Sequence, residues 1–290
     1  MTRSGSGMAH PGSGATHAVP PAPAPGPGVP VGPASTRRAL GRRLTVTVSY
    51  LVCLVGSMVG VGVFGGTPIA EAAGGLLSTD ATHLAPASTA FSVWTVIYIG
   101  LGAYTLWQWW DRTDPRRVGW LVVASLLLNA AWILAVQAGL IWVSVVVIGA
   151  LVVVLAGVFR RLLGACPRSR VEAAVADGTL GLYLGWVCVA TAANVAAALA
   201  GAGFTGGGYP EVWAVVVLAA VAAIGIALAV AGGGRLAVAA TLVWGLAWIA
   251  VARSTGEPES LVVTVAAAAA AVLVALATVA ARVRQERREP

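Results

Sequence analysis

The chain has 290 residues, of which 58% are hydrophobic and only 10% are charged. A soluble fold of this length cannot keep so much apolar surface out of water, so the composition excludes an ordinary globular protein and predicts a membrane protein. The formal net charge of +7 comes from 18 basic residues, all of them arginine. Most lie in short loops beside apolar runs, where arginine sets membrane topology, so the charge does not indicate nucleic-acid binding.

Residues 1–43 are predicted to be a disordered cytoplasmic tail, because their Gly-, Pro- and Ala-rich sequence cannot bury enough apolar surface to become ordered. Eight apolar runs follow, and most reach the roughly 20 residues that a helix needs to cross the hydrocarbon. The predicted spans are residues 44–64, 90–110, 118–136, 140–159, 179–200, 212–231, 236–251 and 261–280.

The arginines test this count of spans. With both termini in the cytoplasm, every arginine except Arg253 falls on the cytoplasmic side, as the positive-inside rule requires. A seven-span alternative would place the basic C-terminal tail, residues 282–290, on the wrong side. The sequence therefore predicts an all-α polytopic helical bundle in the cell membrane.

Few residues are suited to catalysis or metal binding. The three cysteines and three histidines are scattered, without the spacing of a metal site, so no metal is predicted. No charged side chain lies inside the spans as drawn. Because pumps and ion-coupled transporters usually hold charges at membrane depth, this pattern disfavours ion coupling.

Aromatic and amide side chains form one stripe on each of three spans. Helical spacings of three, four and eight residues place the members of each stripe on one helix face. With about 1.5 Å of rise per residue, four of them lie roughly 6–11 Å below the outer boundary, and Trp186 lies about 12 Å deeper than Asn194. The stripes comprise Trp94 and Tyr98 in the second span, Asn129 and Trp132 in the third, and Trp186, Ala190 and Asn194 in the fifth.

A structural interpretation competes with a binding site. Tryptophan and tyrosine are common in the interfacial belts of membrane proteins, and asparagine often joins one helix to another. The pairs Gly56 with Gly60 and Gly181 with Gly185 are typical of close helix contacts, and they are compatible with a homodimer.

Three motifs give the chain a family resemblance. Trp94-Thr-Val-Ile-Tyr98 in the second span resembles the Trp-x-x-(Leu/Ile)-Tyr segment of the TspO/MBR family, the tryptophan-rich sensory proteins. Leu128-Asn129-Ala-Ala-Trp132 is similar to the Leu-Asn-x-x-Trp of the third helix in that family. The fifth span matches the family pattern Trp-x-x-x-Ala-Thr-x-x-Asn from Trp186 to Asn194.

The resemblance covers residues 44–200, the five-helix domain usual in the family, and leaves residues 201–281 as a three-helix extension. It implies a hydrophobic pocket that is closed by the loop between the first two spans, residues 65–88. By motif position, the ligand-binding residues would be Trp94, Tyr98, Asn129, Trp132, Trp186, Ala190 and Asn194.

The ligand implied by the resemblance is a porphyrin, a haem-like tetrapyrrole or another hydrophobic amphiphile, and no cofactor is required. We therefore expect a membrane receptor that serves as a stress sensor or regulator, with a transporter of small hydrophobic molecules as the alternative. Family members reported to degrade protoporphyrin carry a tryptophan in the loop over the pocket. Residues 65–88 contain none, which argues against an enzyme.

Overall fold

The protein is described here by a computed structural model that covers residues 33–63, 67–69 and 71–288. Within these residues, eight helices are long and apolar enough to cross a membrane, which confirms the predicted polytopic helical bundle. They are α1 (Pro33–Gly60), α2 (Val93–Trp110), α3 (Gly119–Gln137), α4 (Ile141–Leu163), α5 (Arg170–Gly201), α6 (Pro210–Ala231), α7 (Leu236–Thr255) and α8 (Leu261–Glu286).

Several helices extend beyond the apolar runs that predicted them. The prediction of a disordered tail is wrong for residues 33–43, which belong to α1, and its remainder lies outside the described residues. α5 begins at Arg170 because Ser169 caps it: the Ser169 hydroxyl accepts a hydrogen bond from the backbone N–H of Glu172 at 3.1 Å. The parts of α5 and α7 that extend beyond the predicted spans carry charged residues, such as Arg253, while the predicted spans themselves contain none.

The helices pack in an order that differs from their order in the chain. α1 packs against α3, α3 against α4, and α4 against α5, while α2 contacts α1 and α5. The extension joins this core through α7, which packs against α5, and α8 lies between α7 and α6. α6 follows α5 in the chain but has few contacts with it. A groove is therefore left between these two helices.

Buried ion pairs join the helices at the end of the bundle that carries most of the arginines, here called the arginine-rich end. Arg116, in the loop between α2 and α3, pairs with Glu172 at 2.9 Å and with Asp177 at 2.7 Å. Arg235 also pairs with Asp177, and Arg168 pairs with Glu172. These five residues, the ionic cluster, attach the start of α5 to three loops, and their pairing offsets the cost of burying charge.

The predicted glycine pairs are helix contacts. Gly56 of α1 lies against Ala130 of α3, and Gly181 and Gly185 of α5 lie against α7. At Gly185 the approach is so close that an added Cβ would lie 2.1 Å from the backbone oxygen of Val238. Glycine at this position therefore sets the distance between the core and the extension.

We expect Gly185→Ala to destabilise the protein by about 1–3 kcal/mol, because the methyl group would meet backbone that cannot rotate away. Gly149→Ala on α4 is the matched control, since a methyl group added there would have no atom within 4 Å. Because alanine favours helix more than glycine, that variant should be neutral or more stable by up to about 1 kcal/mol. Unfolding by SDS in mixed micelles measures both, and equal stability of the two variants would contradict the assigned contact.

Candidate functional site

The aromatic side chains of α2 and α5 form one cluster inside the bundle. The ring of Trp94 stacks on Tyr98, with centroids 5.3 Å apart and planes 17° apart. It also meets Trp186 edge to face at 6.2 Å and Tyr183 at 5.8 Å. Phe91 lies edge to face with Trp186 at 5.7 Å. Such offset and edge-on contacts are the favourable geometries for aromatic rings, so the cluster is well packed.

Asn194 holds the indole of Trp132 in place across the helices. The indole N–H of Trp132 donates to Oδ1 of Asn194 at 3.2 Å, and Nδ2 of Asn194 donates to the hydroxyl of Ser144 on α4 at 3.0 Å. All three side chains are buried. Since a buried amide without partners would cost stability, these bonds fix the orientation of Asn194 and Trp132 together.

A second amide, Asn129, lies behind the aromatic cluster. Its Nδ2 donates to the hydroxyl of Tyr98 at 2.9 Å and to the sulfur of Cys53 at 3.2 Å, which connects α3 to α2 and α1. Its Oδ1 is buried and has no hydrogen-bond partner among the described residues. Neither Asn129 nor Tyr98 lines the cavity described next, although both support its wall.

A closed cavity lies between the aromatic cluster and the loop that precedes α2. Its volume is about 30 Å³, roughly the share of one water molecule in the liquid. The indole nitrogen of Trp186 is buried and has no acceptor among the described residues. A ligand acceptor that reached this N–H would therefore be favoured. The helix residues of the wall include Trp94, Trp132, Trp186, Ala190 and Asn194.

The lid loop, described at residues 61–63, 67–69 and 71–92, covers the cavity. Leu76, Leu77 and Pro86 are among its lining residues, so apolar loop side chains occupy space next to the aromatic cluster. Ala73 has φ +52°, in the left-handed region that residues with a Cβ seldom adopt, and glycine follows it in the same region. A turn of this kind reverses the chain, and the loop lies against the helix residues that line the cavity.

The extension fastens the lid loop to the bundle. Arg253 of α7 is 1% exposed, and its Nη2 donates to the carbonyl of Thr79 at 2.5 Å. The indole of Trp244 donates to the carbonyl of Ala90 at 3.0 Å, and the N–H of Ala87 donates to the carbonyl of Trp248 at 3.2 Å. Three hydrogen bonds to α7 thus hold the loop closed. On the other side, Nε2 of Gln137 donates to the carbonyl of Thr67 at 2.7 Å.

We expect Arg253→Met to loosen the lid loop, because the carbonyl of Thr79 would lose its charged, buried donor while the side chain keeps a similar length. Amide hydrogen exchange in residues 71–90 should become at least about threefold faster, which corresponds to roughly 0.7 kcal/mol of lost protection. Ser254→Ala is the control, since the hydroxyl of Ser254 bonds its own helix at the carbonyl of Val251. Unchanged exchange in Arg253→Met would show that the loop is held elsewhere.

The structure brings five of the seven predicted site residues to one cavity and places Tyr98 and Asn129 in the layer behind it. The ring of Trp186 contacts that of Trp94, and Trp186 lies about 12 Å along α5 from Asn194. Sequence reasoning missed Tyr183, although its spacing of three residues from Trp186 places it on the same helix face. It also missed Ser144 and Arg253.

These features define a polytopic helical membrane protein with a lidded aromatic cavity among its first five helices. The chain belongs to the family described as TSPO-like protein, whose model matches residues 43–279. The match confirms the TspO/MBR resemblance and extends through α6, α7 and most of α8. Comparisons with curated proteins and with solved structures gave no match.

Proposed function

We propose that this membrane protein of the TSPO-like family is a receptor for hydrophobic amphiphiles of the tetrapyrrole kind, which it binds between the aromatic cluster and the lid loop as a sensor or regulator. The observation that carries the proposal is an aromatic cavity whose wall includes Trp186, a residue whose buried indole N–H has no acceptor among the described residues. A flat ligand gains most of its binding free energy by packing against aromatic faces. One hydrogen-bond donor is enough to orient the edge of the ligand that carries its acid groups.

Binding requires the lid loop to move. Pockets for ligands of drug size usually measure about 300–1,000 Å³, whereas the closed cavity holds about 30 Å³. Leu76, Leu77 and Pro86 of the lid loop line the cavity, so displacing them would enlarge it. The lid loop is held by a few hydrogen bonds to α7 and by a few buried apolar side chains, among them Leu84, so its displacement costs less than separating packed helices. The conformation of the proposed receptor described here is therefore the closed one, with the lid loop over the cavity.

The layer behind the cavity supports this function by keeping the wall rigid. The hydrogen bonds of Asn129 and Asn194 reach helices α1, α2, α3 and α4, so the aromatic rings keep their positions when the loop moves. A preformed wall lowers the entropic cost of ligand binding, because fewer side chains must become ordered.

Saturable quenching of protein fluorescence by protoporphyrin IX in lipid nanodiscs tests the proposal. Ala190→Phe should abolish saturable binding, because a ring at this position would fill the cavity from α5. Ala150→Phe, on the exposed side of α4, is the matched control and should bind like the wild type. Equal binding by both variants, with both folded by thermal melting, would reject the cavity as the binding site.

A further inference from the structure

A second and much larger space lies on the outside of the bundle, in the groove between α5 and α6. Its volume is about 480 Å³, within the range of ligand sites and well above that of the closed cavity. Its walls include Leu199 of α5 and Val216 and Ile224 of α6, which are exposed. Because these helices cross the membrane, the groove is open to lipid.

The shape of the groove matches an amphiphile with one polar end. From the ends of the two helices at the lid loop, it reaches down to Cys188 and Ile224, about 20 Å at 1.5 Å per residue. This is more than half of the roughly 30 Å of hydrocarbon. The polar side chains Thr82, His83 and Thr205 lie at its mouth, and the remaining length is largely apolar.

The mouth of the groove is polar, and the imidazole of its histidine, His83, carries little positive charge. Burial, and then the nearby Arg253, lower the pKa of His83 below its ordinary value of 6.5, against an opposite effect of Glu211. His83 is therefore mostly neutral at pH 7 and can both donate and accept a hydrogen bond. Such a mouth suits the uncharged or hydrogen-bonding head of an amphiphile that lies in the leaflet.

The groove and the closed cavity share a wall. Thr82 of the lid loop lines both spaces. On α5, Ala190 and Ala193 line the cavity while Ala192 and Ala196 line the groove, so the two spaces lie on neighbouring faces of this helix. A shift of the lid loop near Thr82 would join the groove to the cavity. The lid loop is the element that must move for a ligand to bind.

We propose that the groove is a second ligand site, which takes a hydrophobic amphiphile from the surrounding leaflet and passes it beneath the lid loop at Thr82 into the core cavity. The transfer step rests on the proposed function, whereas occupation of the groove does not. At this depth neither water nor a soluble partner can fill an apolar space, so its occupant comes from the lipid phase. The three-helix extension, by supplying α6, creates this entrance.

Photolabelling tests occupation of the groove directly. The full-length protein in nanodiscs is irradiated with a palmitate analogue that carries a diazirine in mid-chain, and labelled peptides are mapped by mass spectrometry. Labels should fall on both walls, at residues 188–200 and 210–224. Ala220→Phe, which fills the groove, should reduce them at least about fivefold, while Ala219→Phe, exposed on the same helix but outside the groove, should not. Labelling spread evenly over the lipid-facing helices, or cross-links between two copies through this face, would overturn the site.

The rate of porphyrin binding tests the transfer step. Ala220→Phe should slow the association of protoporphyrin IX about tenfold and leave its equilibrium affinity within about twofold, because it blocks the path and not the destination. Equal association rates in the wild type, Ala219→Phe and Ala220→Phe would overturn the entrance and leave the receptor function in place. A wild type that binds no porphyrin would instead reject the proposed function and the transfer step, and photolabelling alone would then decide whether the groove is a ligand site.

Discussion

Trp186→Ala is expected to lower the affinity for protoporphyrin IX by at least about thirtyfold, or roughly 2 kcal/mol. The variant removes an aromatic ring of the cavity wall together with its buried indole N–H, which has no acceptor among the described residues. Loss of a large aromatic contact and loss of a hydrogen bond each contribute on the order of 1 kcal/mol or more. Equilibrium titration in nanodiscs measures the change. Trp120→Ala, which removes a lipid-exposed tryptophan of α3, should change the affinity less than about twofold.

The variant Trp186→Phe separates the two contributions. It keeps a ring that can pack against Phe91 and Trp94 but lacks the N–H donor, so we expect an affinity loss of about five- to tenfold. If the indole donates to a propionate of the porphyrin, that loss should shrink for the dimethyl ester, because an ester oxygen is a weaker acceptor than a carboxylate. The same loss for both ligands would show that the N–H does not meet the acid group.

Arg116→Met is expected to destabilise the folded protein by about 3–5 kcal/mol. The side chains of Arg116 and Glu172 are each 3% exposed, so removal of the arginine would leave a buried carboxylate without one of its two partners. Asp177 would keep Arg235 as a partner and should be affected less. SDS titration monitored by circular dichroism gives the free energy of unfolding.

Arg282→Met is the matched control for that measurement. Arg282 pairs with Glu286 one helical turn away on α8, and both side chains are at least half exposed. Surface pairs of this kind contribute about 0–0.5 kcal/mol, so this variant should be nearly as stable as the wild type. Similar losses in Arg116→Met and Arg282→Met would contradict the structural role of the ionic cluster.

The number and order of the spanning helices could be predicted from the sequence because lipid imposes a simple rule: each crossing needs a long apolar run. The ends of the helices could not, since they depend on polar contacts outside those runs. α5 starts at Arg170 because Ser169 and the ionic cluster stabilise its first turns. From hydropathy alone, residues 170–178 would be assigned to a loop.

The candidate site was predictable to the level of the helix face. Spacing placed Trp186, Ala190 and Asn194 on one side of α5, and the structure brings them to one cavity. Spacing could not separate the wall from the layer behind it, where Asn129 bonds Tyr98, because the two layers share the same helix faces. The bond from Arg253 to Thr79 joins residues 174 positions apart, a distance over which no local pattern carries information.

The contacts of α7 give the extension a structural role that its sequence did not indicate. Residues 201–281 looked like an addition to a five-helix domain, yet Arg253, Trp244 and Trp248 hold the loop that covers the cavity of that domain. The extension therefore anchors this loop to the bundle through α7. Ligand affinity and lid stability are expected to be coupled, because opening is part of the binding equilibrium.

The most direct test of a ligand pocket beneath the lid loop is an experimental structure of the protein in nanodiscs with protoporphyrin IX bound. The predicted result is porphyrin density against Trp94, Trp132 and Trp186, with the lid loop displaced and one acid group near the indole nitrogen of Trp186. Density confined to the lipid-facing surface, with the lid loop closed and the cavity still about 30 Å³, would contradict the receptor function.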